Sequence, residues 1–315
     1  MTRGMCPRHV VCICAAMKVR AVRLDRYRLR VTTWGSGSAP HAIVLPGLSA
    51  DARALAPQIR MLRSQVATVH VVDLPGMALP PSLLAADASF PQLADQVAHV
   101  ANELGIKRAL VVGHSLGGGV ALHLALRRPE LVDGLVLIAP AALGRSLHWI
   151  YKLYCLPLIG RALLYPRSSG QRGFVRRFLI GSLRREDHAF VNMLIRHGNK
   201  ARERALSSRA IVWANQPSLW RRVLMLVTPG GEQSAFALGD RLRELSDVPT
   251  LVLWGNEDRV ICAGDAVRCR DFHQGAEIHV ARGAGHMLPL EAPAWTNGYI
   301  ARFVASLQPA LREAA

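Results

Sequence analysis

Ala109-Leu110-Val111-Val112-Gly113-His114-Ser115-Leu116-Gly117 is the stretch that decides how this chain folds. Four apolar residues read as a buried strand, and the serine set between two glycines reads as a sharp strand-to-helix turn. That turn is strained and crowded, so Gly113 and Gly117 serve as positions with nothing beyond hydrogen while the hydroxyl is pushed out above a sheet. Downstream, Val120 to Leu126 continues as a helix until Pro129. A bare G-x-S-x-G match recurs by chance in any flexible Gly/Ser loop; the flanking strand and helix are what make Ser115 the candidate nucleophile.

Outward from this turn, Val19 to Leu24 and Leu29 to Thr33 alternate as an antiparallel hairpin turning near Asp25-Arg26, at a sheet edge. Then come short apolar runs at Ala42 to Leu45, Thr68 to Asp73, Ala109 to Val112, Leu135 to Ala139, Thr250 to Trp254 and Glu277 to Val280. Helical patterns such as Phe90 to Leu104 separate them. Together these predict an eight-stranded, mostly parallel α/β sheet with helices on both faces and functional loops beyond the carboxyl ends of its strands.

Between Pro140 and about Thr228 the alternation stops, giving way to Arg-rich and apolar stretches that read as helices, such as Phe174 to Ile180 and Ala189 to Ile195. We read 141–228 as an inserted helical cap, 19–140 and 229–310 as the core, and 1–18 as a loose leader. Within the cap, His148 to Pro166 is rich in large apolar groups; Pro157 and Gly160 interrupt it, which favours lining an apolar pocket over lying flat on a membrane.

The chain has 315 residues, half of them hydrophobic, ample for a buried core. Its formal charge is +17, and 141–228 alone carries sixteen Lys and Arg against three acids. A solvated cationic face is the simpler reading of that excess, with weak attraction to an anionic surface or substrate as the alternative. Six cysteines at 6, 12, 14, 155, 262 and 269 lack zinc-ligand spacing and are expected as thiols. Arg3 and Arg8 before Val10 to Met17 only faintly imitate a signal peptide, and Met17 is an alternative start of translation. A cytoplasmic protein is expected. The triplet Gly117-Gly118-Gly119 belongs to the turn and is not G-x-G-x-x-G, so neither a nucleotide nor a metal is expected. The expected partner is a small-molecule substrate, with no cofactor and no nucleic acid; oligomeric state is left open.

A serine hydroxyl is a weak nucleophile at neutral pH and needs a base held in the right tautomer. Trp254-Gly255-Asn256-Glu257-Asp258-Arg259-Val260 follows a predicted strand, and its turn projects Asp258 at the carboxyl edge as the orienting acid. Glu257 is the first rival; Asp265 falls in the next helix and Asp247 before the strand. Gly283-Ala284-Gly285-His286-Met287-Leu288-Pro289-Leu290-Glu291 follows the last strand and offers His286 as the base. His114 is its nearest competitor, but its place in the turn aims it away from the Ser115 hydroxyl.

The order Ser115, Asp258, His286, with GHSLGG, LVLIAPA, WGNEDRV and GAGHMLPLEAP, resembles the α/β-hydrolase superfamily with an inserted cap, over roughly Val19 to Leu307. That resemblance implies two backbone N–H donors for a tetrahedral oxyanion, from Leu116 and Leu48. The early loop reads Pro46-Gly47-Leu48 where such proteins usually have His-Gly, and Met77-Ala78-Leu79-Pro80 departs from the usual continuation after Asp73-Leu74-Pro75-Gly76. A serine in the turn sets the chain apart from related dehalogenases and epoxide hydrolases, which use aspartate there. The implied activity is cofactor-independent cleavage of a carboxylic ester. The alternatives are carbon–carbon bond hydrolysis of the meta-cleavage type, suggested by Ile138-Ala139-Pro140-Ala141-Ala142-Leu143-Gly144-Arg145, and a non-catalytic ligand-binding relative.

Overall fold

The computed structural model describes residues 17–24, 28–47, 50–74, 90–144 and 238–313. The leader up to residue 16, the hairpin tip, Leu48, the Pro75 to Pro80 stretch and nearly all of the expected cap therefore lie outside the described residues.

Eight strands form one sheet in the order β1-β2-β4-β3-β5-β6-β7-β8. They are β1 (Lys18–Arg23), β2 (Arg28–Gly35), β3 (His41–Leu45), β4 (Thr68–Val72), β5 (Ala109–His114), β6 (Val132–Ile138), β7 (Thr250–Gly255) and β8 (Glu277–Ala281). β1 and β2 pair antiparallel, with Val22 opposite Leu29, and β2 pairs antiparallel with β4; all other pairs are parallel. Every residue of β3, β4, β5 and β7 is buried, as parallel strands covered on both faces must be.

Alternate side chains feed two separate cores. Ile43, Leu45, Val111, Leu135, Leu137, Val252 and Trp254 face helices α2 (Phe90–Glu103) and α3 (Leu116–Arg127). Ala42, Val44, Leu110, Val112, Val136, Ile138, Leu251 and Leu253 face α1 (Ala56–Leu62) and the carboxyl-terminal helix. Between them in the chain come α4 (Gly264–Phe272) and the short α5 (Leu288–Glu291), and α6 (Pro293–Glu313) closes the fold.

Strand order reverses direction around β3: β4 lies on one side of it and β5 on the other. The loops leaving β3 and β5 therefore part to opposite faces and open a crevice at the carboxyl edge, the place where open α/β sheets bind ligands. Gly47 and Ser115 stand at the two sides of that crevice.

Candidate active site

Ser115 joins β5 to α3 with φ +53° and ψ −117°, a conformation that L-residues rarely adopt. Its surroundings enforce it. The Ser115 N–H donates to Ile138 O at 3.0 Å, and its carbonyl accepts from Gly118 N at 3.0 Å and Ala141 N at 2.9 Å. A Cβ on Gly117 would stand 2.0 Å from Leu45 O, and one on Gly113 would stand 2.5 Å from Gly117 O. Glycine at both positions follows from close backbone approach, since neither has a left-handed φ.

The loop after β7 brings Asp258 to this turn. Its side chain is fully buried and receives four donors. Val260 N and Ile261 N reach Oδ1 at 2.8 and 3.0 Å, while Trp254 Nε1 and His286 Nδ1 reach Oδ2 at 3.0 and 2.8 Å. Since Asp258 accepts at Nδ1–H, the other ring nitrogen of His286 is left to accept, and Nε2 lies 3.0 Å from Ser115 Oγ. Three side chains from three loops thus form one continuous hydrogen-bonded chain, with His286 only 7% exposed.

The rivals take other places. Glu257 carries its N–H to Ala284 O at 2.9 Å, Asp265 is buried in the first turn of α4, and Asp247 is exposed before β7. His114 points its Nε2 at the backbone carbonyl of His286, at 3.0 Å, rather than at the serine. Burial first, and the nearby His286 second, hold His114 down to about 3, so its ring is neutral and Nε2 carries the proton that the carbonyl accepts.

Leu116 opens α3, so its N–H belongs to the unsatisfied, electropositive end of a twelve-residue helix. Leu48 itself lies outside the described residues, but Gly47 before it passes close to Ser115: a Cβ there would be 3.2 Å from Ser115 Cβ. Among the described residues no group of three or more His, Cys, Asp or Glu side chains is arranged to hold a metal, and no helix is long and apolar enough to cross a membrane.

Three contacts around the site escape sequence reading: the Trp254 indole on Asp258, His114 on the His286 carbonyl, and the Glu291 carboxylate, which accepts from Gly285 N at 2.8 Å and Met287 N at 3.0 Å. Their only signal was membership of the segments GHSLGG, WGNEDRV and GAGHMLPLEAP.

A mostly parallel sheet whose strand order reverses around β3, beside a serine-bearing β5–α3 turn, defines the class of fold. The chain belongs to the alpha/beta hydrolase fold family, whose family model matches residues 40–293. Among its relatives, an uncharacterized protein of Mycobacterium tuberculosis is 26% identical over 231 residues, 71% of this chain and 64% of that one. This chain therefore spans somewhat less than two thirds of that relative's length. A 2-hydroxy-6-oxononadienedioate/2-hydroxy-6-oxononatrienedioate hydrolase of a Pseudomonas species is 25% identical over 239 residues, covering 75% of this chain and 77% of that one. The solved structure of naproxen esterase from Bacillus subtilis superposes with a TM-score of 0.67 at 22% identity, covering 92% of each chain. That likeness concerns the fold.

Proposed function

We propose that the protein is a serine hydrolase that cleaves a carboxylic ester of a small to medium apolar substrate through an acyl-enzyme. The observation that carries this is the unbroken chain Ser115 Oγ, His286 Nε2, His286 Nδ1, Asp258 Oδ2, with links of 3.0 and 2.8 Å. His286 takes the Ser115 proton as Oγ attacks the ester carbonyl, and Asp258 stabilises the imidazolium that results. The backbone N–H groups of Leu116 and Leu48 are the proposed donors to the oxyanion. Collapse expels the alcohol, which takes the proton from His286. Water, deprotonated by His286, then releases the acid and restores Ser115.

Residues 141–228 are proposed as the cap that shapes the acyl and alcohol subsites. In support, Ala142 and Leu238, on either side of residues 145–237, meet in a 2.9 Å hydrogen bond from Leu238 N to Ala142 O. A cytoplasmic setting belongs to the same proposal.

Ser115→Ala is expected to lower kcat on short acyl esters by roughly 10⁴-fold or more, with the melting temperature unchanged. Equal turnover by variant and wild type ends the proposal. Carbon–carbon hydrolysis is the second reading, supported by the Pseudomonas relative. Decay of a yellow ring-fission product faster than any ester in the panel would put it first. A wild-type protein that a fluorophosphonate does not label would be a binding protein with an inactive serine.

A further inference from the structure

The base in a serine mechanism must swing little and return to the same place, yet His286 sits on a loop between β8 and the four-residue α5. A loop needs something to hold it. Gly285 and Met287 flank His286, and both of their N–H groups end on the two oxygens of Glu291, at 2.8 and 3.0 Å. From the other side the neutral, fully buried His114 donates Nε2–H to the His286 carbonyl at 3.0 Å. The main chain of residues 285–287 is thus gripped by one bidentate acceptor and one donor. Buried carbonyl and N–H groups that lose such partners must find others or remain unpaired at a cost in free energy.

We propose that Glu291 and His114 are positioning residues that fix the His286 imidazole against Ser115 by clamping its main chain, a step that rests on His286 being the base. His114 also lies beside the other side of the crevice: a Cβ added at Gly47 would stand 3.1 Å from its Nδ1. The same ring therefore spans from the β3 loop, which leads to Leu48, to the loop that carries the base. Glu291 is in turn anchored within its own layer, since α5 is held by Gln58 of α1, whose Nε2 donates to Pro289 O at 3.1 Å. A misplacement of even about 1 Å at a reacting group can cost up to about a hundredfold in rate, so a clamp of this kind reads out in turnover rather than in binding.

The test compares Glu291→Gln, His114→Leu and His114→Gln. Glutamine at 291 keeps one acceptor and sets an NH2 against the second N–H; glutamine at 114 keeps an Nε2 donor in about the place of the imidazole's. Each variant is measured for ester kcat and KM, for the rate of fluorophosphonate labelling of Ser115, and for melting temperature. Expected are a fall in kcat and labelling rate of about tenfold for Glu291→Gln and His114→Leu with KM within about twofold, and recovery of most of both rates in His114→Gln. Wild-type labelling combined with equal labelling of Glu291→Gln, or rates that only track melting temperature across all three variants, overturns the clamp. Failure of the wild type itself to label overturns the serine mechanism instead.

Discussion

Trp254 is 0% exposed, and its indole N–H divides between Asp258 Oδ2 at 3.0 Å and Ile261 O at 3.2 Å. A carboxylate that shares one oxygen between an imidazole and an indole keeps a fixed plane, and that plane sets the direction of the His286 ring. Trp254→Phe keeps most of the ring and removes the donor. Its expected effect is a kcat reduced about tenfold with KM nearly constant, alongside a stability loss of about 1–3 kcal/mol. A variant that loses stability while retaining full kcat would reduce Trp254 to a core residue. At this scale the sequence was informative where function depends on residue type in a local pattern. Ser115, Asp258 and His286 each stand in a turn after an apolar strand, and the structure brings these three together. Trp254 and Glu291 lie within six residues of the groups they hold and His114 lies 172 residues from its own; an indole on a carboxylate and bonds to backbone atoms leave no residue-type pattern to read.

Among the elements, the β5–α3 turn tolerates no side chain on its inner side. Gly117→Ala would drive a methyl to within 2.0 Å of Leu45 O and 2.6 Å of Pro46 O, so β3 and the turn must separate. Overpacking against backbone is expected to cost about 1–3 kcal/mol or more and to displace Ser115 from its φ of +53°. Thermal melting should fall together with labelling of Ser115; a variant with wild-type melting and labelling would show that the turn relaxes without loss. Strands were legible because buried parallel strands are short, apolar and β-branched. The limits shift by one to three residues: the fourth strand ends at Val72 rather than Asp73, and the sixth begins at Val132 rather than Leu135. Helices α1 and α6 went unread. α1 has seven residues, too few for a period to declare itself. α6 places Thr296, Asn297 and Gly298, all weak helix formers, in its first turns. Side-chain contacts offset this: Thr296 Oγ1 donates locally to Ala292 O at 2.9 Å, and Asn297 Nδ2 reaches across to Pro57 O of α1 at 3.3 Å.

Across the whole molecule, buried histidines make stability depend on pH. His70 of β4 lies with Nε2 3.2 Å from His41 Nδ1 and with Nδ1 3.0 Å from Thr33 Oγ1, and it is 4% exposed. Burial, and then the neighbouring His41, push His70 down to about 4; burial lowers His41 and His273 as well, and His114 falls to about 3. Each folded-state value lies below the ordinary 6.5, so between pH 6.5 and about 4 the unfolded chain binds protons that the folded chain refuses. Stability is therefore fully present above pH 6.5 and declines as the pH falls. By pH 5, His70 alone should account for about 2 kcal/mol. A urea midpoint that is the same at pH 7.5 and pH 5 would refute this; His70→Gln should flatten the slope.

What the amino-acid sequence determined by itself was the set of local decisions: which runs become buried strands, where the chain turns without room for a Cβ, and which serine, histidine and aspartate stand beyond strand ends. Those follow from side-chain chemistry within a few residues. What only the tertiary structure decided was convergence. Ser115 and His286 are 171 residues apart in the chain, and their 3.0 Å meeting exists because β5, β7 and β8 deliver their loops to one edge of one sheet. The His114 half of the clamp on His286 and the paired histidines of β3 and β4 arise in the same way, from strand order and packing that no short window of sequence contains.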